Sequence, residues 1–179
     1  MKIITGIAKG MNLETLEGDN TRPTSQRVKE AIFSMIQFDI EGASVLDLFA
    51  GSGPLGLEAL SRGATFCVFV DSSKEAINIV KENIKLCRQE ENSKIINKDY
   101  IEALKILNDK FDIIFVDPPY SNGIEVNVLK NIKSIMSENG IAVIETDQTD
   151  IPPDEIAGLI KYDSRKYGRT IISFYSHGE

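Results

Sequence analysis

Residues 45–60, VLDLFAGSGPLGLEAL, decide the fold. The apolar run 45–49 reads as a buried strand. Ala50-Gly51-Ser52-Gly53 is a turn of small residues. Pro54 stands where the first helical residue belongs, and there its fixed φ and missing N–H cost nothing. Leu55, Leu57 and Leu60 continue as an apolar helix face. Strand, glycine turn and helix make the first βα unit of a doubly wound sheet. Glycines let the backbone approach a ligand closely, and the helix start offers N–H groups to it.

Working outward, strands and helices alternate. Apolar runs at 66–70, 94–97, 111–116 and 141–145 predict further strands. The run 111–116 is almost wholly apolar, as a central parallel strand should be. Helices are expected at 74–87, 100–107 and 124–136, the last stopped at Asn139-Gly140. Pro152-Pro153 predicts a short helical segment, and 159–162 and 170–175 two closing antiparallel strands turned near Tyr167-Gly168. Ahead of the core, 1–19 reads as a hairpin or irregular arm. Thr24 or Ser25 then caps a helix with Val28, Ala31, Ile32, Met35 and Ile36 on its apolar face, ending near Phe38. The expected architecture is α/β and Rossmann-like. It has seven strands, mostly parallel, with helices on both faces, an antiparallel C-terminal strand and a short N-terminal arm. We expect one domain over 1–179, with arm and helix at 1–40 and core at 41–179.

The composition, 42% apolar and 26% charged, is that of an ordinary soluble globular chain. No run is long enough to cross a bilayer, and residues 1–6 hold no apolar leader, so no membrane partner and a cytoplasmic location are expected. Two cysteines, Cys67 and Cys87, are too few for a disulfide framework and read as reduced, packed thiols. With one histidine and no Cys/His cluster, no metal is expected. The net charge of −7 restricts any nucleic-acid footprint to local groups. The candidates are Lys161, Arg165, Lys166 and Arg169, and a looser set of Lys9, Arg22, Arg27 and Lys29.

The glycine stretch 51–56 also fits G-x-G-x-x-G, and Asp71 falls 20 residues after Gly51, as in dinucleotide-binding enzymes. Asp47 argues otherwise. A carboxylate inside the strand, four residues before the first glycine, repels a pyrophosphate. It attracts a cofactor with an ammonium and a sulfonium, and S-adenosylmethionine carries both. Its ribose would still want an acid at Asp71. Five acids, Asp47, Asp71, Asp99, Asp117 and Glu145, fall at or near strand ends, where open α/β sheets bind ligands. Asp99 also reads as a helix cap.

Asp117-Pro118-Pro119-Tyr120 is the most specific short string, and its parts suit methylation of an exocyclic amine on a planar base. The lone pair of such an amine is delocalised into the ring. Asp117 and the Pro118 carbonyl can accept its two N–H groups, which favours pyramidal nitrogen and stabilises the charge that develops there. The prolines stiffen the loop, and Tyr120 can stack on the base.

The chain resembles the class I amino-methyltransferases through D-x-F-x-G-x-G and D-P-P-Y. Segments NTRPTSQRVKEAIF, VLDLFAGSGPLGLEALSRGA, VFVD and FDIIFVDPPY narrow the resemblance to the bacterial RsmD family. Pro54 departs from an expected alanine, and Met11-Asn12 from expected basic residues. The resemblance implies S-adenosylmethionine as cofactor and N2 of a guanine in 16S ribosomal RNA as target, on free RNA or a 30S assembly particle. It implies Asn20, Arg22 and Thr24 near the methionine end of the cofactor, and Asp47, Phe49, Gly51 and Gly53 in the glycine motif. Asp71, with Ser72 beside it, is implied on the ribose, and Asp99, with Tyr100, near the adenine. Asp117, Pro118, Pro119 and Tyr120 are implied around the guanine. Two alternatives remain: a DNA adenine-N6 or cytosine-N4 methyltransferase with the same D-P-P-Y chemistry, and a non-catalytic RNA-binding module.

Overall fold

A computed structural model describes residues 1–16, 24–118 and 123–178. The buried apolar runs form the centre of one sheet. β1 (Ser44–Asp47) lies between β2 (Phe66–Asp71) and β4 (Phe111–Val116), parallel to both. β3 (Ser93–Asn97) flanks β2, and β5 (Met136–Asp147) flanks β4, also in parallel. Beyond β5, β8 (Thr170–His177), β7 (Leu159–Tyr167) and β6 (Glu155–Ile156) add antiparallel strands. The order is β3-β2-β1-β4-β5-β8-β7-β6.

Helices cover both faces because β1 and β4 are apolar on both sides. α1 (Thr24–Met35), α2 (Pro54–Ser61) and α3 (Lys74–Leu86) pack on one face through Phe33, Leu57 and Val80. α4 (Tyr100–Ile106) and α5 (Ile124–Ile132) pack on the other through Ala103, Val128 and Leu129. Alternation along β1 sends Val45 to the α1–α2–α3 face and Leu46 to the α4–α5 face. Asp47 therefore turns toward α2. Cys67 and Cys87 are buried free thiols.

Three expectations are corrected. The sheet has eight strands, not seven, because Glu155–Ile156 pairs with β7 where a helical segment was expected after Pro152-Pro153. α5 stops at Ile132 and runs through a 3-10 turn at Lys133–Ile135 into β5, so Asn139-Gly140 lies inside a strand. There the pairing slips: Phe111 faces Met136, but Ile113 faces Ile141. A Cβ on Gly140 would come within 2.9 Å of the Ser137 carbonyl oxygen, so this bulge requires glycine. α1 ends at Met35, short of Phe38.

Candidate active site

The strand order reverses between β1 and β4, and ligands of open α/β sheets lie outside the carboxyl ends at such a switch point. Asp47 pairs in register with Phe69 of β2 and Phe115 of β4. Two residues further on, Phe49, Asp71 and Asp117 leave the three strands at one level. Glu145 of β5 extends the row, one residue past the Val116–Ile144 pair. Asn97 ends β3 opposite Asp71.

Asp71 fastens the glycine turn. Its Oδ2 accepts the Gly51 N–H at 2.9 Å, and its Oδ1 accepts the Ser73 N–H at 2.8 Å. Each oxygen keeps a further lone pair, and the side chain is half-exposed. The Asn97 amide donates to the Asp71 and Ser72 carbonyls at 2.9 and 3.1 Å, tying β3 to the same corner. Gly53 has φ +81°, a left-handed conformation that disfavours a Cβ. A Cβ on Gly56 would strike the Phe69 ring and stand 2.7 Å from Cys67 Sγ, so glycine here lets α2 lie directly on β2.

Asp47 lies one layer deeper and is 2% exposed. Its Oδ2 accepts the Gly56 N–H at 3.0 Å, a first-turn donor with no partner inside the helix. Burial pushes the carboxyl up to about 7; the Gly56 N–H opposes this, and the charges of Asp117 and Asp71 add to it. Asp47 thus supports the glycine turn from below.

Phe49 and Tyr100 meet with ring centroids 5.4 Å apart, tilted by 44°. Burial, helped by the Asp99 charge, raises the Tyr100 phenol. Asp99 caps α4 by accepting the Ile101 N–H at 2.9 Å, which realises the capping reading of that residue. Ser73, not Ser72, caps α3. Asp117 is exposed and Pro118 half-buried just past β4. Asn20, Arg22, Pro119 and Tyr120 lie outside the described residues, and Thr24 opens α1.

The edge is therefore rich in acceptors and anionic. It suits hydroxyls, an ammonium and a sulfonium, and it repels the pyrophosphate that a dinucleotide would bring. The residues present fit S-adenosylmethionine. Among the described residues no cluster of His, Cys, Asp and Glu could hold a metal, and no helix is long and apolar enough to cross a membrane.

The sequence reading missed what holds the N-terminal arm. Glu58 of α2 is fully buried, and its two oxygens accept the Ile4 N–H at 2.8 Å and the Thr5 N–H at 3.1 Å. Lys29 of α1 joins it at 3.1 Å and Arg62 at 2.7 Å. Lys29, grouped by sequence with exposed cations, is instead 1% exposed, and burial lowers its ammonium against the pull of Glu58. The signal was a glutamate inside the otherwise small and apolar helix PLGLEALS. Ser61 adds an Oγ that accepts the Ala8 N–H at 3.0 Å.

The C-terminal basic group is also corrected. Lys161 is largely buried, 2.7 Å from Asp154. Arg165 pairs with Asp163 at 2.9 Å and Arg169 with Asp147 at 3.2 Å. The two arginines stay half or more exposed, on a hairpin whose turn adjoins Asp147 at the carboxyl end of β5.

The family model described as conserved hypothetical protein 95 matches residues 1–176. YlbH of Bacillus subtilis is 38% identical over 180 residues, covering 98% of each chain. "Ribosomal RNA small subunit methyltransferase D" of Haemophilus influenzae is 35% identical over 142 residues, 78% of this chain and 72% of its own. The structure of yhhF from Escherichia coli superposes with a TM-score of 0.90 at 26% identity, covering 99% of this chain and 98% of that one. The chain belongs to this family: it is an S-adenosylmethionine-dependent methyltransferase of the RsmD type.

Proposed function

We propose that this protein methylates the exocyclic N2 of a guanine in small-subunit ribosomal RNA, in the cytoplasm. The observation that carries the reading is the row of acids at the switch point. Asp71 holds the glycine turn on one side, and Asp117-Pro118 leaves the adjacent central strand on the other. The name of the Haemophilus relative supports an rRNA substrate.

In this reading Gly51, Gly53, Asp71, Ser72, Asp99 and Tyr100 hold the nucleoside part of the cofactor, with Phe49 packed against Tyr100. Free lone pairs on Asp71 accept the ribose hydroxyls. Asn20, Arg22 and Thr24 meet the methionine end. The cofactor supplies, when bound, a methyl group made electrophilic by sulfonium sulfur. Asp117 and the Pro118 carbonyl accept the two N–H groups of the guanine amine. They localise its lone pair and stabilise the positive charge that grows at nitrogen. Pro119 stiffens the loop, and Tyr120 stacks on the base. Enclosing the amine requires an unstacked base, and unstacking costs least for an unpaired one. An acidic chain with few free cations gains little from phosphates, so a 30S assembly particle is the preferred substrate over naked RNA.

Methyl transfer to purified 30S particles, naked 16S RNA and duplex DNA, followed by digestion and nucleoside mass spectrometry, tests this. N2-methylguanosine from the particle is expected. N6-methyladenine or N4-methylcytosine would overturn the assignment in favour of the DNA-type reaction.

A further inference from the structure

Asn83 is fully buried on α3, and its side-chain amide joins two segments far apart in sequence. Its Oδ1 accepts the Glu14 N–H at 2.8 Å, and its Nδ2 donates to the Glu14 carbonyl at 2.9 Å. The amide thus pairs with the arm as a neighbouring strand would. The other Nδ2 hydrogen goes to the Ser52 carbonyl at 2.9 Å. Both amide hydrogens are in use, and only this orientation avoids facing an oxygen toward two carbonyls. Ser52 lies between Gly51 and Gly53, and Gly51 is held from the start of α3 by the corner of Asp71 and Ser73. α3 therefore grips the glycine turn at two points, and at one of them it grips the arm as well.

We propose that Asn83 is a positioning residue that couples docking of the N-terminal arm to the shape of the glycine turn, so that both form one cofactor-binding unit. This rests on the reading of the turn as the S-adenosylmethionine site. Without Asn83 the Ser52 carbonyl and both backbone groups of Glu14 lose a shared partner. Turn and arm then fluctuate independently. The other arm anchors, Glu58 and Ser61, sit on α2 and bind the arm at 4–8, so they do not replace the link at Glu14.

Coupling is reciprocal: whatever the arm does for cofactor affinity, the cofactor must do for arm docking. The probe is S-adenosylhomocysteine, read by calorimetry and by amide hydrogen exchange. In the wild type it should slow exchange in residues 3–14 as well as 50–53. Asn83→Ala should weaken its binding by about 5- to 20-fold. In the same variant, ligand protection of the arm should disappear while the turn is still protected at saturation. Glu14→Pro leaves Asn83 in place and removes only the arm's N–H, and it should weaken binding in the same direction. A purely structural role would lower the fraction of competent protein and leave Kd unchanged. Ligand protection confined to 50–53 in the wild type, or an unchanged Kd in both variants, would overturn the proposal. If the wild type binds no S-adenosylhomocysteine, the cofactor reading fails instead. Unliganded exchange still decides the coupling, because Asn83→Ala must then loosen 3–14 and 50–53 together.

Discussion

Asp47→Asn isolates the cost of the carboxyl beneath the glycine turn. In the unfolded chain this group has its ordinary value of 3.8, and burial in the fold lifts it to about 7. Between those values the folded state binds the proton more tightly. Asp47 therefore favours folding in acid, and this contribution is lost as the pH rises from about 4 to 7, with no further loss above. A lift of roughly three pH units at ~1.4 kcal/mol per unit makes that loss about 4 kcal/mol. Asparagine has no charge to bury, and its Oδ1 can still accept the Gly56 N–H. Its extra buried N–H costs ~1 kcal/mol. The variant should be slightly less stable than wild type near pH 4.5 and about 3 kcal/mol more stable near pH 8. Urea unfolding without ligand measures this, followed by far-UV circular dichroism because the chain has no tryptophan. A stability difference that stays constant between these pH values would refute the argument.

Asp71→Ala removes the acceptor of the Gly51 N–H and that proposed for the ribose hydroxyls. It should weaken S-adenosylhomocysteine binding by on the order of 1.5–3 kcal/mol in calorimetry, and unchanged affinity would clear Asp71 of the role. Asp117→Ala should leave that affinity nearly intact and slow single-turnover methyl transfer by about 10²–10³-fold; an unchanged rate would make the D-P-P-Y loop structural. Replacing Arg165, Lys166 and Arg169 with alanine should lower RNA affinity and flatten its salt dependence. The arginines' exposed carboxylate pairs hold them by only about 0–1 kcal/mol, so phosphates can take them over. An unchanged salt slope would exclude the hairpin from the contact.

The parallel core was legible because a strand covered on both faces shows as an unbroken apolar run, and 66–70 and 111–116 are such runs. β6 was not, because two residues carry no periodicity and Pro152-Pro153 also suits a helix start. Asn139-Gly140 has the composition of a helix stop, and only its pairing with β4 identifies it as a bulge. The strand-end position of Asp47 was legible from spacing. Its direction was not, because a run apolar on both faces gives alternation nothing to mark. Lys29 and Asn83 look like ordinary surface residues of amphipathic helices. Their partners, Glu58 and Glu14, are supplied by tertiary packing from distant segments.

The fastening of the arm also bears on the order in which the chain takes shape. Ile4, Thr5 and Ala8 wait for Glu58 and Ser61, and Glu14 waits for Asn83, 53 to 69 positions further along. At about 5–20 residues per second, synthesis leaves the arm without these anchors for several seconds. Closing such long loops then adds its own entropic delay. The arm is among the first segments made and among the last to settle, and the glycine turn to which Asn83 ties it is completed in the same late step.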